Sequence, residues 1–388
     1  MNENFDAIVI GAGSTGIPIT YFLSINGLKV LCVDQYASAG QGQNKAAIGG
    51  VRATHSDSAK IKICKQSIDF FSTWKEKHGH EIGWKKGGYA FPVYREREEK
   101  ILKAILPIQK KHDLNIDWIN AESIKEIIPG INPNGLIGGT FAPDDGQVSP
   151  LLAIEAMEQV AKEAGAKFLY ESEVTNLIIE KNKIRAVEIG TDKYNTNIVV
   201  NAAGAYADKI GKMAGITIPL IPDSHEAGIS APVEEFLRPL VVDLRPGEDG
   251  KSSIFYFGQN HDKGIIFCFT PGTLVPGYNR TSTSEFMPIM VKRLLGLIPR
   301  LKNLRVRRIW RGLYPMTPDG IAIIGKAPGI EGFYLSAGMC GQGFMMGPGI
   351  GLNLASLIIK GKPEIPQEIF NTLSPERDFY SGKSESLK

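Results

Sequence analysis

Gly11, Gly13 and Gly16 stand at the spacing of a turn that grips a pyrophosphate, and Asp34 lies 18 residues beyond the last of them. Gly11 permits the tight turn, Gly13 lets the backbone approach a phosphate, and Gly16 lets helix and strand pack closely. Ser14 and Thr15 complete the turn, and a carboxylate at Asp34 can accept both ribose hydroxyls of an adenosine. This is a dinucleotide fingerprint; alone it does not separate NAD from FAD. Two distant glycine-rich turns do, one ending in Asn201-Ala202-Ala203-Gly204 and the other running from Gly338 through Gly341, Gln342 and Gly343. A nicotinamide domain needs only the first turn, whereas a tightly held flavin also needs a cradle for its ring. A helix predicted to open near Gly349 would aim its positive end at that ring.

The elements that must position these residues follow from pattern. An apolar run over 5–10 reads as a strand, 14–26 as a helix, and 31–33 as a second strand. Residues 37–52 are rich in glycine and small side chains, a long ordered loop whose backbone groups need partners, which a bound flavin would supply. Helical spacing recurs over 59–77 and 96–112, and Ser149 with Pro150 forms an N-cap signal for a helix over 151–164. Strands are predicted over 89–94, 167–170, 174–180 and 184–189. From 218 to 311 the pattern turns to short β runs, 228–231, 240–244, 254–257 and 265–270, interrupted by one helix over 285–296. A strand over 332–337 and a helix over 350–359 close the chain, and the tail from Gln367 reads as polar and loosely held. The fold class expected is α/β with α+β character. A discontinuous Rossmann-like FAD-binding domain (1–84, 145–217 and 318–388) stands beside a mainly antiparallel-sheet substrate domain (85–144 and 218–317).

The 388 residues are long for one core, and 43% hydrophobic with 22% charged residues is ordinary for a globular protein. A net charge of +3 is too small to argue for nucleic acid or anionic membranes. Cys32, Cys64, Cys268 and Cys340 show no metal spacing, so four reduced, buried thiols and no metal site are expected. With no signal-type apolar segment and no apolar run of membrane-spanning length, a cytoplasmic protein without a transmembrane segment is expected. Attachment to a membrane through a partner stays open.

Taken together the motifs resemble the D-amino acid oxidase-like FAD oxidoreductases, and within them the branch of sarcosine oxidase beta subunits, dye-linked proline dehydrogenase beta subunits and glycine oxidase. The matching pieces are Gly11 to Gly16, Ile48-Gly49-Gly50-Val51-Arg52, Pro143-Asp144-Asp145-Gly146, Asn201 to Gly204, His225-Glu226, Trp310 to Gly325, and Gly338 to Gly343 with its following helix. The resemblance implies FAD and oxidation of the C–N bond of a small amino or imino acid, of sarcosine, proline or glycine type, to the imine by hydride transfer to flavin N5. The cofactor-binding residues expected are Gly11, Gly13, Ser14, Thr15, Gly16, Asp34, Gln35, Gln43, Ala47, Ile48, Gly49, Val174, Ala203, Gly204, Gly312, Gly338, Gly341, Gln342, Gly343, Phe344 and Met345.

Departures from the family pattern carry information too. Covalent relatives tether FAD through a cysteine where this chain has Gly312, so noncovalent FAD is expected. The lysine that promotes reaction with oxygen, near the position of Ile266, and the one that pairs with the substrate carboxylate, near Met345, are both absent, as is a histidine that holds FMN near Ser149. This favours a dehydrogenase over a peroxide-forming oxidase; a flavin-carrying electron-transfer subunit is the alternative from another class. A small amino acid needs a cation for its carboxylate and a base for its amine. Arg52 and Arg311 are the candidate cations, Arg52 being read equally as a salt-bridged surface residue. His225 is the candidate base, or else a hydrogen-bonded core histidine, and the resemblance puts an active-site tyrosine at Tyr256. The expected partners are the substrate, an electron acceptor or partner subunits, and further copies in an oligomer.

Overall fold

A computed structural model describes residues 3–381; the outermost domain limits expected above, 1–2 and 382–388, lie outside the described residues. The short β-rich apolar runs assemble a six-stranded sheet in the order Lys167–Leu169, Val30–Val33, Ala7–Ile10, Val199–Asn201, Phe333–Ala337 and Ile323–Lys326. All neighbours are parallel except the last pair. Every residue of Ala7–Ile10 and Val30–Val33 is buried, as parallel strands covered on both faces require. One face carries the helices Gly16–Ile25, Ser58–His78, Pro150–Glu163 and Gly343–Lys360. The other buries Val174, Leu177, Ile184 and Val187 of a small antiparallel sheet together with Ile210.

The helix expected over 350–359 departs from expectation. It runs Gly343–Lys360, opening six residues before Gly349, so Gly347, Pro348 and Gly349 lie inside it. The pattern hid this because these positions are chosen for close packing. A Cβ on Gly347 would meet Ser14 O at 2.0 Å, and one on Gly349 would meet Ile63 O at 2.2 Å. The helix is long and apolar enough to cross a membrane, yet 67% of its apolar window is buried inside the protein. It packs on Gly16–Ile25 and Ser58–His78, as the core helix of this layer.

The second layer is an eight-stranded sheet ordered Val306–Met316, Ile221–Pro232, Gly264–Pro271, Ser252–Gln259, Leu240–Asp243, Tyr89–Val93, Gly138–Ala142 and Asp117–Asn120. Its pairs are antiparallel except Leu240–Asp243 with Tyr89–Val93. Helix Phe286–Leu297 covers Phe267 and Phe269. Strands Asp117–Asn120 and Asp192–Asn195 and helix Ala121–Ile127 had no clear apolar period, because they are short and half exposed. The tail is also better held than its polarity suggests. Phe370 and Leu373 are buried, and Arg377 bonds Asp319 at 2.7 Å and donates to Ile321 O at 2.6 Å.

Candidate active site

The first turn is tied down from three sides. Gly11 N donates to Val33 O at 2.8 Å, Ala12 N to the Asp34 carboxylate at 2.7 Å, and Gly40 N to Ala12 O at 2.8 Å. Gly11 has φ +108°, and a Cβ there would strike Ala202 O at 2.4 Å; only glycine adopts this turn readily. A Cβ on Gly13, by contrast, would meet nothing within 4 Å. The backbone at Gly13 is thus bare toward a cleft that begins here.

One continuous cleft runs from this turn past Asp34, Gln35 and Val174, between the 42–50 loop and Ala203-Gly204, to the start of helix Gly343–Lys360 and the face of the large sheet. Neither helix that opens on it, Gly16–Ile25 or Gly343–Lys360, has a side-chain cap; the first N–H groups of Gly343–Lys360 are available to a ligand, whereas in Gly16–Ile25 Ile17 N donates to Gly13 O and Pro18 has no N–H. Gln342 Oε1 on the cleft wall is buried with no partner among the described residues. The long loop is partly anchored by protein: Trp310 Nε1 donates to Ala46 O at 2.9 Å and Leu313 N to Gln43 Oε1 at 2.6 Å. A bare glycine turn, two uncapped helix starts, an orphaned amide oxygen and a ribose-type carboxylate suit a long anionic dinucleotide. Burial pushes the Asp34 carboxyl up, against the bonds it accepts from Tyr36 N and Ala12 N.

The far end of the cleft is built by strand pairing. His225 stands opposite Gly312 and Asp223 opposite Tyr314 across the Ile221–Pro232 and Val306–Met316 strands, so the side chains of 223, 225 and 314 share a face, with Gly312 leaving room beside His225. The His225 imidazole stacks on Tyr314 at 3.8 Å between centroids, and Tyr314 OH lies 2.9 Å from Tyr256 OH. Cys268 stands opposite Tyr256 and also lines the cleft. Burial drives both tyrosine hydroxyls well above their usual range and the Cys268 thiol up to about 12. All three stay protonated near neutrality. Arg52 is buried on the cleft wall beside the Phe91 ring and donates to Thr54 O.

Of the residues singled out from sequence, all but three line this cleft. Gly16 faces its own turn, where a Cβ would overlap Gly11 O at 1.7 Å, and a Cβ on Gly338 would meet Thr317 Cγ2 at 2.4 Å. Arg311 lies on the opposite face of its strand, paired across the sheet with Glu226 and donating to Thr281 O at 3.1 Å. Strand alternation turns it away from the cleft. Asp223, Tyr314 and Cys268 were missed; the signal was an i, i+2 pair of chemistry-bearing residues, Asp223 and His225, on one strand.

Behind Arg52, Asp145 accepts Ala53 N at 2.9 Å and Thr54 Oγ1 at 3.3 Å. Burial lifts its carboxyl from 3.8 to about 7, against the pull of these bonds and of Arg52. A carboxyl raised in the folded state favours the protonated fold. Its contribution is full below about pH 4 and is lost as pH rises through about 7, by at most about 1.4 kcal/mol per pH unit. Denaturation of the wild type and Asp145→Asn across that window should therefore converge at the acid end, with the wild type losing stability more steeply toward neutrality. Parallel curves would remove Asp145 as the titrating group.

A parallel sheet with a dinucleotide-type cleft that opens onto histidine, tyrosine and cysteine side chains of a second, antiparallel sheet fits a flavoprotein-type oxidoreductase. The chain belongs to the FAD dependent oxidoreductase (DAO) family, whose model matches residues 6–357; its cofactor is FAD. The L-proline dehydrogenase from P. horikoshii superposes with a TM-score of 0.91 at 33% identity, covering 99% of this chain and 100% of that one. Glycine oxidase from Bacillus cereus shares the fold, with a TM-score of 0.80 at 23% identity over 95% of this chain and 97% of that one. Mitochondrial dimethylglycine dehydrogenase of Homo sapiens is 25% identical over 377 residues, 93% of this chain and 43% of that protein. The chain thus spans less than half the length of that relative.

Proposed function

We propose that this chain is an FAD-dependent dehydrogenase that oxidises the C–N bond of a small amino or imino acid, of sarcosine, proline or glycine type, to the imine. The observation that carries the reading is the single cleft that joins the Gly13 and Asp34 cradle to the His225, Tyr256, Tyr314 and Arg52 cluster. Bound FAD supplies the two-electron acceptor. Gly11 to Thr15 and the start of helix Gly343–Lys360 would hold its phosphates and ring, and Asp34 its ribose. The glycine at 312 supports noncovalent attachment.

Arg52 clamps the substrate carboxylate with parallel hydrogen bonds, the geometry a guanidinium favours. His225 takes the amine proton, since the neighbouring tyrosines and thiol hold theirs. Tyr256 and Tyr314, hydrogen-bonded to each other, wall the site and exclude water. The domain division is part of the reading: the six-stranded sheet draws its strands from 7–33, 167–201 and 323–337, and the large sheet from 89–142 and 221–316. An electron acceptor or partner subunit completes turnover. The names of the proline and dimethylglycine dehydrogenases support the substrate class.

An anaerobic screen of sarcosine, L-proline, glycine and dimethylglycine against the flavin absorbance tests this directly. At least one should bleach the flavin, with dye reduction outpacing peroxide formation in air. A yellow protein that none of them bleaches would instead be an electron-carrying subunit.

A further inference from the structure

Resting on that reading of His225, the geometry points to Asp223 as a positioning residue: its carboxylate holds the imidazole Nε2–H, so that the unpartnered Nδ1 is left as the acceptor of the substrate ammonium proton. His225 Nε2 and Asp223 Oδ2 lie 2.8 Å apart, with both side chains nearly inaccessible, at 4% and 3%. The other carboxylate oxygen accepts Val275 N at 2.6 Å, which fixes the carboxylate plane from the 271–283 loop. A carboxylate has no proton to give, so in the neutral imidazole Nε2 is the donor and Nδ1 carries the lone pair. His225 Nδ1 is buried and has no partner among the described residues, while the residue lines the cleft.

The surroundings leave the assignment unopposed. Tyr314 stacks on the ring face, and Tyr256 and Cys268 lie beyond it; all three are held protonated by burial. Glu226, next along the strand, is engaged by Thr283 N and Oγ1, each at 2.6 Å. Burial pushes the Asp223 carboxyl up, but the bonds from His225 and Val275 N outweigh it and keep the group below the usual range, hence ionised. In the step itself the proton leaves the substrate nitrogen, whose bonding pair stays behind as the lone pair that C–N oxidation needs. Nδ1 becomes N–H, and the imidazolium is stabilised by the carboxylate on its far side.

The test is the tautomer and the chemistry together, on the FAD-loaded full chain. With 15N-labelled histidine, one of six such residues, the His225 ring is assigned by its loss in His225→Gln. It should carry its proton on Nε2 in the wild type and shift toward Nδ1–H in Asp223→Asn, which keeps an oxygen for Val275 N. Anaerobic flavin reduction by sarcosine or L-proline should fall about a hundredfold or more in Asp223→Asn, while substrate affinity changes less than about threefold. A wild-type ring protonated on Nδ1 overturns the proposal with no variant needed. So does a slow His225→Ala beside an Asp223→Asn of normal rate, which spares the role of His225. If His225→Ala itself reduces at the wild-type rate, the underlying reading falls and takes the proposal with it.

Discussion

Gly13→Asp should yield a folded protein that no longer holds FAD. A Cβ at this position meets no protein atom within 4 Å, so the apoprotein has room at the point where the side chain starts. Its carboxylate would, however, stand where the bare backbone is open to a pyrophosphate. At an effective dielectric of about 20, one like charge about 4 Å from another costs roughly 4 kcal/mol, and even after screening the FAD affinity should fall about a hundredfold or more. The measurement is flavin content after gel filtration, with the apoprotein melting temperature alongside. Gly16→Ala is the contrasting variant, because its Cβ would overlap Gly11 O at 1.7 Å and should lower apoprotein stability as well. If Gly13→Asp still retains stoichiometric FAD, the first turn is not the pyrophosphate site.

Arg52→Ala should slow anaerobic flavin reduction about tenfold or more, a loss of about 1.4 kcal/mol or more in transition-state stabilisation, with FAD still bound. The guanidinium is buried on the cleft wall and its surroundings are apolar on one side, where Phe91 lies. In such a place a carboxylate held by two parallel bonds is worth far more than at a surface. Removing the cation also leaves Asp145 without its nearest positive charge. That carboxyl already sits near 7, so it can take a proton rather than remain an uncompensated buried charge. The fold should therefore survive. Arg52→Lys should recover only part of the rate, since an ammonium cannot offer the planar fork. Wild-type reduction rates in Arg52→Ala would assign the residue to structure alone.

Much of the frame was legible in the chain because it is local. A glycine turn, the strand before it and the helix after it are read from spacing that the next thirty residues dictate, and the fold keeps Gly11, Gly13 and Asp34 where that spacing puts them. Ser149 and Pro150 likewise start their helix as caps do, with Leu152 N donating to Ser149 Oγ. Helix Gly343–Lys360 starts earlier than its local pattern suggests, for a tertiary reason. Gly347 and Gly349 break helical preference locally, and only the approach of Ser14 and Ile63 explains why they sit inside a helix.

Short-range spacing in the chain marks out a candidate dinucleotide cradle and the carboxylate beside it, and side-chain chemistry alone names the candidates for handling a proton. The tertiary structure decided which of those residues meet. Arg52 and Arg311 were equivalent candidates on paper, and the alternation of the Val306–Met316 strand sends Arg311 to the far face while the loop before it brings Arg52 to the cleft. Likewise, nothing in the spacing of His225, Tyr256 and Tyr314 predicts a stacked ring or a shared hydrogen bond; long-range register between separate strands creates both. Local sequence sets what a residue can do, and strand pairing over tens of residues sets what it faces.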